Sequence, residues 1–211
     1  MSNVEIKICG ITSEEAIVAA SEYKYVKYLG FVTYSKSKRH LTIERTRQLT
    51  NLVPKHIKRV SVLVGVPTDD FIEKTQNMYD YFQVYDAASP SQIQQLKLTS
   101  GKKVIVAIKA KDQKAVDLHR QYIGIADDFI FDGGSSSYGT SSGFNWDYLK
   151  TVKCSFLLAG GIGLNNIEEA LIVSRRIDLS SQLEDNPGVK SVEKIKEFLL
   201  KVKEINENRT I

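Results

Sequence analysis

The chain has 211 residues, 42% hydrophobic and 26% charged, with 29 Lys+Arg against 25 Asp+Glu for a formal net charge of +4. That balance suits a globular protein with one sizeable core. The small, scattered basic excess argues against a nucleic-acid face, which clusters Lys and Arg among aromatics, but is compatible with anionic ligands. Two distant cysteines make neither a disulfide framework nor a metal site, and no leader or bilayer-spanning run is read, so a cytoplasmic protein with no membrane partner is expected.

Strand and helix patterns alternate from end to end. Residues 4–8 alternate apolar and charged side chains as a strand does, and an amphipathic helix follows over 12–21. An apolar, aromatic run at 26–32 is the second strand, with a helix at 42–52 after a polar loop. A β-branched run at 59–64 is the third strand, and Thr68 with Asp69 and Asp70 caps the next helix, acids at its positive end. Residues 81–85 are the fourth strand. Ser89-Pro90-Ser91-Gln92 then reads as a capping box with proline at the first helical position. Strands at 103–108, 129–131, 155–159 and 177–179 follow, with helices at 112–121, 165–173 and 192–202. Eight units at a spacing of roughly 25 residues imply a parallel sheet with right-handed crossovers. Eight is the number that closes a (β/α)8 TIM barrel, and one such α/β domain is expected over 1–211. The competing doubly wound open sheet calls for a glycine-rich turn after the first strand, where this chain has Gly10 alone.

Barrel chemistry sits at the carboxyl ends of the strands. Cys9 stands at the end of the first, just before a helix start. A lone thiol is often a small buried hydrophobe, whereas a helix terminus favours its thiolate; position alone leaves the two readings even. Asp132 ends the sixth strand. Alone it reads as a turn aspartate accepting backbone N–H bonds. The long loop of small residues at 133–143 is of a length usually functional or disordered, and Cys9 and Asp132 on one rim can act as an acid–base pair.

Leu158-Ala159-Gly160-Gly161-Ile162-Gly163 leaves the seventh strand and Asp178-Leu179-Ser180-Ser181 the eighth. Glycines let backbone N–H groups approach an anion near a helix start. Each segment alone is also an ordinary turn, but the loops after strands seven and eight are the usual phosphate site of this barrel. In Ser37-Lys38-Arg39, Arg39 has the fork that grips a carboxylate, although such clusters are more often solvated faces. His40, His56 and His119 lack metal-ligand spacing, and Phe144, Trp146 and Cys154 read as packing residues.

Taken together, these residues resemble phosphoribosylanthranilate isomerase, a β/α-barrel family of tryptophan biosynthesis. Lys7-Ile8-Cys9-Gly10-Ile11-Thr12 matches its opening signature. Leu29-Gly30-Phe31-Val32, Ser37-Lys38-Arg39, Asp132, Gly139-Thr140, Phe144-Asn145-Trp146, Leu158-Ala159-Gly160-Gly161, Asp178-Leu179-Ser180-Ser181 and Pro187-Gly188-Val189-Lys190 follow in the family's order. The resemblance implies an Amadori rearrangement of a phosphosugar substrate without cofactor or metal, by a monomer or homodimer. It implies Asp132 as general acid and Cys9 as general base, Arg39 on the anthranilate carboxylate, and Gly160, Gly161, Ser180 and Ser181 on the phosphate. There are departures: the family's Gln-Leu-His-Gly run is Gln83-Val84-Tyr85-Asp86 here, its Asp before Trp is Asn145, the glycine after the serine pair is Gln182, and Ser191 stands where an aspartate is common. Two other functions compete: another phosphosugar-processing barrel, which would use rim carboxylates or metal-binding histidines this chain lacks, and a phosphate-ligand-binding barrel that has lost catalysis, suggested by the altered strand-four rim.

Overall fold

A computed structural model describes residues 4–86, 89–134 and 145–208. The sequence features at Gly139, Thr140, Phe144 and the rest of 135–144 lie outside the described residues. Eight parallel strands close into a barrel in chain order: β1 Glu5–Cys9, β2 Val26–Val32, β3 Lys58–Val64, β4 Tyr81–Tyr85, β5 Lys103–Lys109, β6 Asp128–Asp132, β7 Leu157–Ala159 and β8 Arg176–Leu179, with β8 pairing back onto β1. The expected (β/α)8 fold is the one observed.

Both faces of this sheet are covered, so the strands read as nearly continuous apolar runs. In β5, Ile105 and Ala107 point into the barrel, while Val104, Val106 and Ile108 join the larger core under the helices. That outer layer comprises α1 Glu14–Ser21, α2 Ile43–Leu52, α3 Asp69–Thr75, α4 Pro90–Ser100, α5 Gln113–Asp117, α6 Ile167–Val173 and α7 Val192–Asn208. Ser13, Thr42, Thr68 and Asp112 each cap a helix by accepting a backbone N–H three residues on. Before α4, Gln92 Oε1 accepts the Ser89 N–H at 3.0 Å, the return half of the capping box. No described helix is long and apolar enough to cross a membrane.

Several elements differ from the sequence reading. The helix expected over 112–121 stops at Asp117 and continues as a 3-10 helix, Leu118–Tyr122. His119 is drawn into the core there, edge-on to Phe129 and Phe131 at 5.8 and 5.5 Å. Between β6 and β7 the described covering element is a 3-10 helix, Trp146–Thr151. A hairpin of β9 Glu184–Asn186 and β10 Val189–Lys190 follows β8, turning at Gly188 with φ +93°. The last helix continues past 202 because Ile205 extends the buried stripe of Ile195, Phe198, Leu199 and Val202.

The amino end of the barrel is closed by charge. Arg176 Nε donates to Glu5 Oε2 and its Nη1 to Asp128 Oδ1, both at 2.8 Å, and Nη2 to the Tyr28 hydroxyl at 3.2 Å. This end serves stability, which leaves the carboxyl end for ligands.

Candidate active site

A cavity of about 310 Å³ opens at the carboxyl end of the strands. Cys9, Arg39, Asp132, Gly160, Gly161, Ser180 and Ser181 all line it, although they come from both ends of the sequence. The parallel register brings them together: every strand presents its last inward-facing residue to the same rim.

Cys9 ends β1 and is 8% exposed. Alternation along the strand places Lys7 on the same inward face. Lys7 is fully buried, and its Nζ donates to Asp178 Oδ1 and Oδ2, each at 2.9 Å. A β-carbon added at Gly30 would lie 3.2 Å from both Cys9 Sγ and Lys7 Nζ, so this glycine leaves room for the pair. Burial pushes the Cys9 thiol above its ordinary value, while Lys7 and Lys190 pull it down without offsetting the burial. The neighbours that favour thiolate are two lysines, Lys7 two residues upstream and Lys190 of the hairpin after β8, rather than the helix start that the sequence suggested. Burial disfavours the Lys7 charge in turn, but the Asp178 carboxylate more than compensates and holds its pKa above the usual lysine range.

Asp132 ends β6 with both carboxylate oxygens engaged. Oδ2 accepts from the Tyr85 hydroxyl and Oδ1 from the Gly134 backbone N–H, each at 2.8 Å. Gly160 makes this approach possible: its φ is +99°, and a β-carbon there would meet Gly133 N at 2.5 Å and Asp132 Oδ1 at 3.0 Å. In the next turn, Asn166 Oδ1 accepts from Gly163 N at 2.9 Å and Nδ2 donates to Gly161 O at 3.2 Å, which shapes the loop before α6. Ser180 Oγ donates to Cys9 O at 3.2 Å and ties the β8 loop to the end of β1.

Arg39 lies across Gly10, where a β-carbon would sit 2.4 Å from Arg39 Cδ. Its Nε and Nη2 donate to Glu184 Oε1 and Oε2 at 2.6 and 2.8 Å. Glu184 also accepts from buried Lys190 Nζ at 2.6 Å and from Gly188 N at 3.1 Å. Burial alone would raise the Glu184 carboxyl; Arg39 and Lys190 override it and hold it down to about 2. Glu184 takes the side edge of the guanidinium, and among the described residues no group is paired with the terminal edge, whose fork has the geometry to grip a carboxylate. Arg39 is thus a fixed rim group and not the solvated surface charge that its local sequence suggested.

Sequence reasoning missed Lys7, Tyr85, Glu184 and Lys190 as contributors. For Lys7 a signal existed, a lysine on the thiol's face of a buried strand. For Glu184 there was none, since its partner Arg39 is 145 residues away. Among the described residues no three His, Cys, Asp or Glu side chains are grouped as metal ligands.

A family model described as N-(5'phosphoribosyl)anthranilate (PRA) isomerase matches residues 6–201. The N-(5'-phosphoribosyl)anthranilate isomerase of Staphylococcus aureus strain MRSA252 is 33% identical over 211 residues, covering 97% of this chain and 100% of that protein. The crystal structure of phosphoribosyl anthranilate isomerase from Thermotoga maritima is similar at a TM-score of 0.81 and 26% identity, over 95% of this chain and 99% of that one. Another crystal structure, of phosphoribosyl anthranilate isomerase in complex with reduced 1-(o-carboxyphenylamino)-1-deoxyribulose 5-phosphate, is similar at a TM-score of 0.76 and 25% identity, over 95% and 99% of the two chains. With the match running from the first barrel strand into the last helix, the chain belongs to the phosphoribosylanthranilate isomerase family.

Proposed function

We propose that this protein converts N-(5-phosphoribosyl)anthranilate to 1-(2-carboxyphenylamino)-1-deoxyribulose 5-phosphate, the isomerisation step of tryptophan biosynthesis, with Asp132 as general acid and Cys9 as general base. The observation that carries the reading is the convergence of a thiol and a carboxyl from opposite sides of the barrel on one cavity, with Arg39 and the β7 and β8 loops around it. Asp132 protonates the ribose ring oxygen as the C1–O bond breaks, and the anilino nitrogen's lone pair forms the Schiff base. Cys9 then takes the C2 proton; the electrons of that bond form the enolamine, which tautomerises to the ketone.

A thiol raised by burial is a base of low occupancy, but its thiolate is the more basic for that, which partly compensates. Lys7 lies beside both the Asp178 carboxylate and the sulfur and so faces the charge wherever it resides. Acid and base each contribute roughly 10²–10⁴-fold when positioned. The remaining residues position the substrate: Arg39 through its terminal edge on the anthranilate carboxylate, and Gly160, Gly161, Ser180 and Ser181 on the phosphate, whose binding energy fixes the sugar over the pair. The reading carries a cytoplasmic setting, which two unbridged thiols favour. It is tested by expressing the gene in a tryptophan auxotroph lacking this step: growth supports it, and failure to grow despite soluble protein overturns it.

A further inference from the structure

We infer that Tyr85 is a positioning residue for this reaction: its hydroxyl holds the Asp132 carboxyl in the orientation from which the proton is delivered. The inference rests on the reading of Asp132 as the acid. Tyr85 is the last residue of β4, and Asp132 the last of β6. In register, Tyr85 lies beside Ala107 of β5, and Ala107 beside Ile130 of β6. Strands separated by a third lie roughly 10 Å apart along a sheet, so only a long side chain crossing above a small one closes this gap. Tyrosine does so, reaching Asp132 Oδ2 from a strand position beside the small Ala107.

The tyrosine itself has a firm base. Its ring packs against the cluster that fills the barrel interior. The strand end is pinned by the next residue, Asp86, which turns the chain at φ +47° and accepts from Lys109 Nζ at 2.9 Å. Burial and the adjacent Asp132 charge push the phenol well above its usual range, so it remains a donor throughout the working pH. With Tyr85 on Oδ2 and Gly134 N on Oδ1, rotation of the carboxyl is blocked from both sides. The hydrogen bond to Oδ2 also points at charge that grows as the proton leaves.

Tyr85→Phe keeps the ring and deletes the donor. The expected result is a fall in kcat of roughly ten- to hundredfold, the cost of a misoriented catalytic group, with the KM for phosphoribosylanthranilate changed by less than about threefold. Added to Asp132→Asn, Tyr85→Phe lowers kcat by less than about twofold more, because the group it positioned is gone. An equal fold-loss in the parent and in the Asp132→Asn background overturns the inference, as does a kcat for Tyr85→Phe within about twofold of the parent. Full activity of Asp132→Asn alone removes the acid assignment itself, a result separable from the other two.

Discussion

In a Lys7→Met variant, the Asp178 carboxylate loses both 2.9 Å donor contacts while remaining 6% exposed inside the barrel. Methionine keeps the unbranched shape of the side chain up to the position of Cε and most of its apolar packing, so the change removes chiefly the charged end. Breaking a buried pair by removing one partner costs about 3–5 kcal/mol, a large part of the roughly 5–15 kcal/mol that holds a domain together. At about 2–4 °C per kcal/mol for a chain of this size, Tm should fall by roughly 6–20 °C. The loss should depend on pH with a definite sign. Burial already raises Asp178 in the folded protein, and without Lys7 it rises further, so the folded state binds the proton that the unfolded state releases. Stability of the variant is then greatest at low pH and falls as pH rises through the interval between the unfolded and folded values. Urea unfolding followed by far-UV circular dichroism at pH 5 and pH 8 measures this. Lys7→Met combined with Asp178→Leu removes both charges and should regain most of the lost stability. A loss below about 1 kcal/mol in the single variant, or a double variant no better than the single, would refute the reasoning.

Other outcomes follow from the same geometry. Because burial raises the Cys9 thiol and thiolate is the reactive form, alkylation by iodoacetamide in a Cys154→Ser background should accelerate with pH up to and beyond pH 9; a plateau near pH 7 would contradict it. Glu184, held at about 2 against an ordinary 4.5, contributes stability that is fully present above pH 4.5 and is lost as pH falls toward 2, on the order of 3 kcal/mol. Glu184→Gln should abolish that acid-dependent component in unfolding curves between pH 5 and 2, and should raise KM about tenfold by freeing Arg39. Gly160→Ala should lower both stability and kcat, since its methyl strikes Gly133 and Asp132, whereas Gly161→Ala, with nothing within 4 Å, should cost only about 1 kcal/mol of backbone strain and act on KM. Thermal melts and steady-state kinetics on the pair separate the two cases.

The barrel was legible because its period is simple. The limits of β4 were read from five residues, Tyr81–Tyr85, and the caps at Thr68 and Ser89 stand where turn chemistry puts them. Elements set by tertiary contact were not legible. Helix α5 gives way to 3-10 turns because His119 packs on two phenylalanines from a strand that follows it, and the β9–β10 hairpin closes where Gly188 meets the Lys38 backbone, at 2.3 Å for a β-carbon. The site divides in the same way. Cys9, Asp132 and the β7 and β8 loops that line the cavity sit at strand ends, which the alternation locates. The Arg39–Glu184–Lys190 chain and the Tyr85–Asp132 contact join segments 145 and 47 residues apart, and no local pattern encodes them.

The measurement that bears most directly on the account is steady-state turnover of phosphoribosylanthranilate by the purified protein, by Cys9→Ala and by Asp132→Asn, each verified as folded. The parent should turn over, and each variant should lose kcat by roughly 10²-fold or more with far smaller changes in KM. Parent-like kcat in either folded variant would contradict the acid–base assignment.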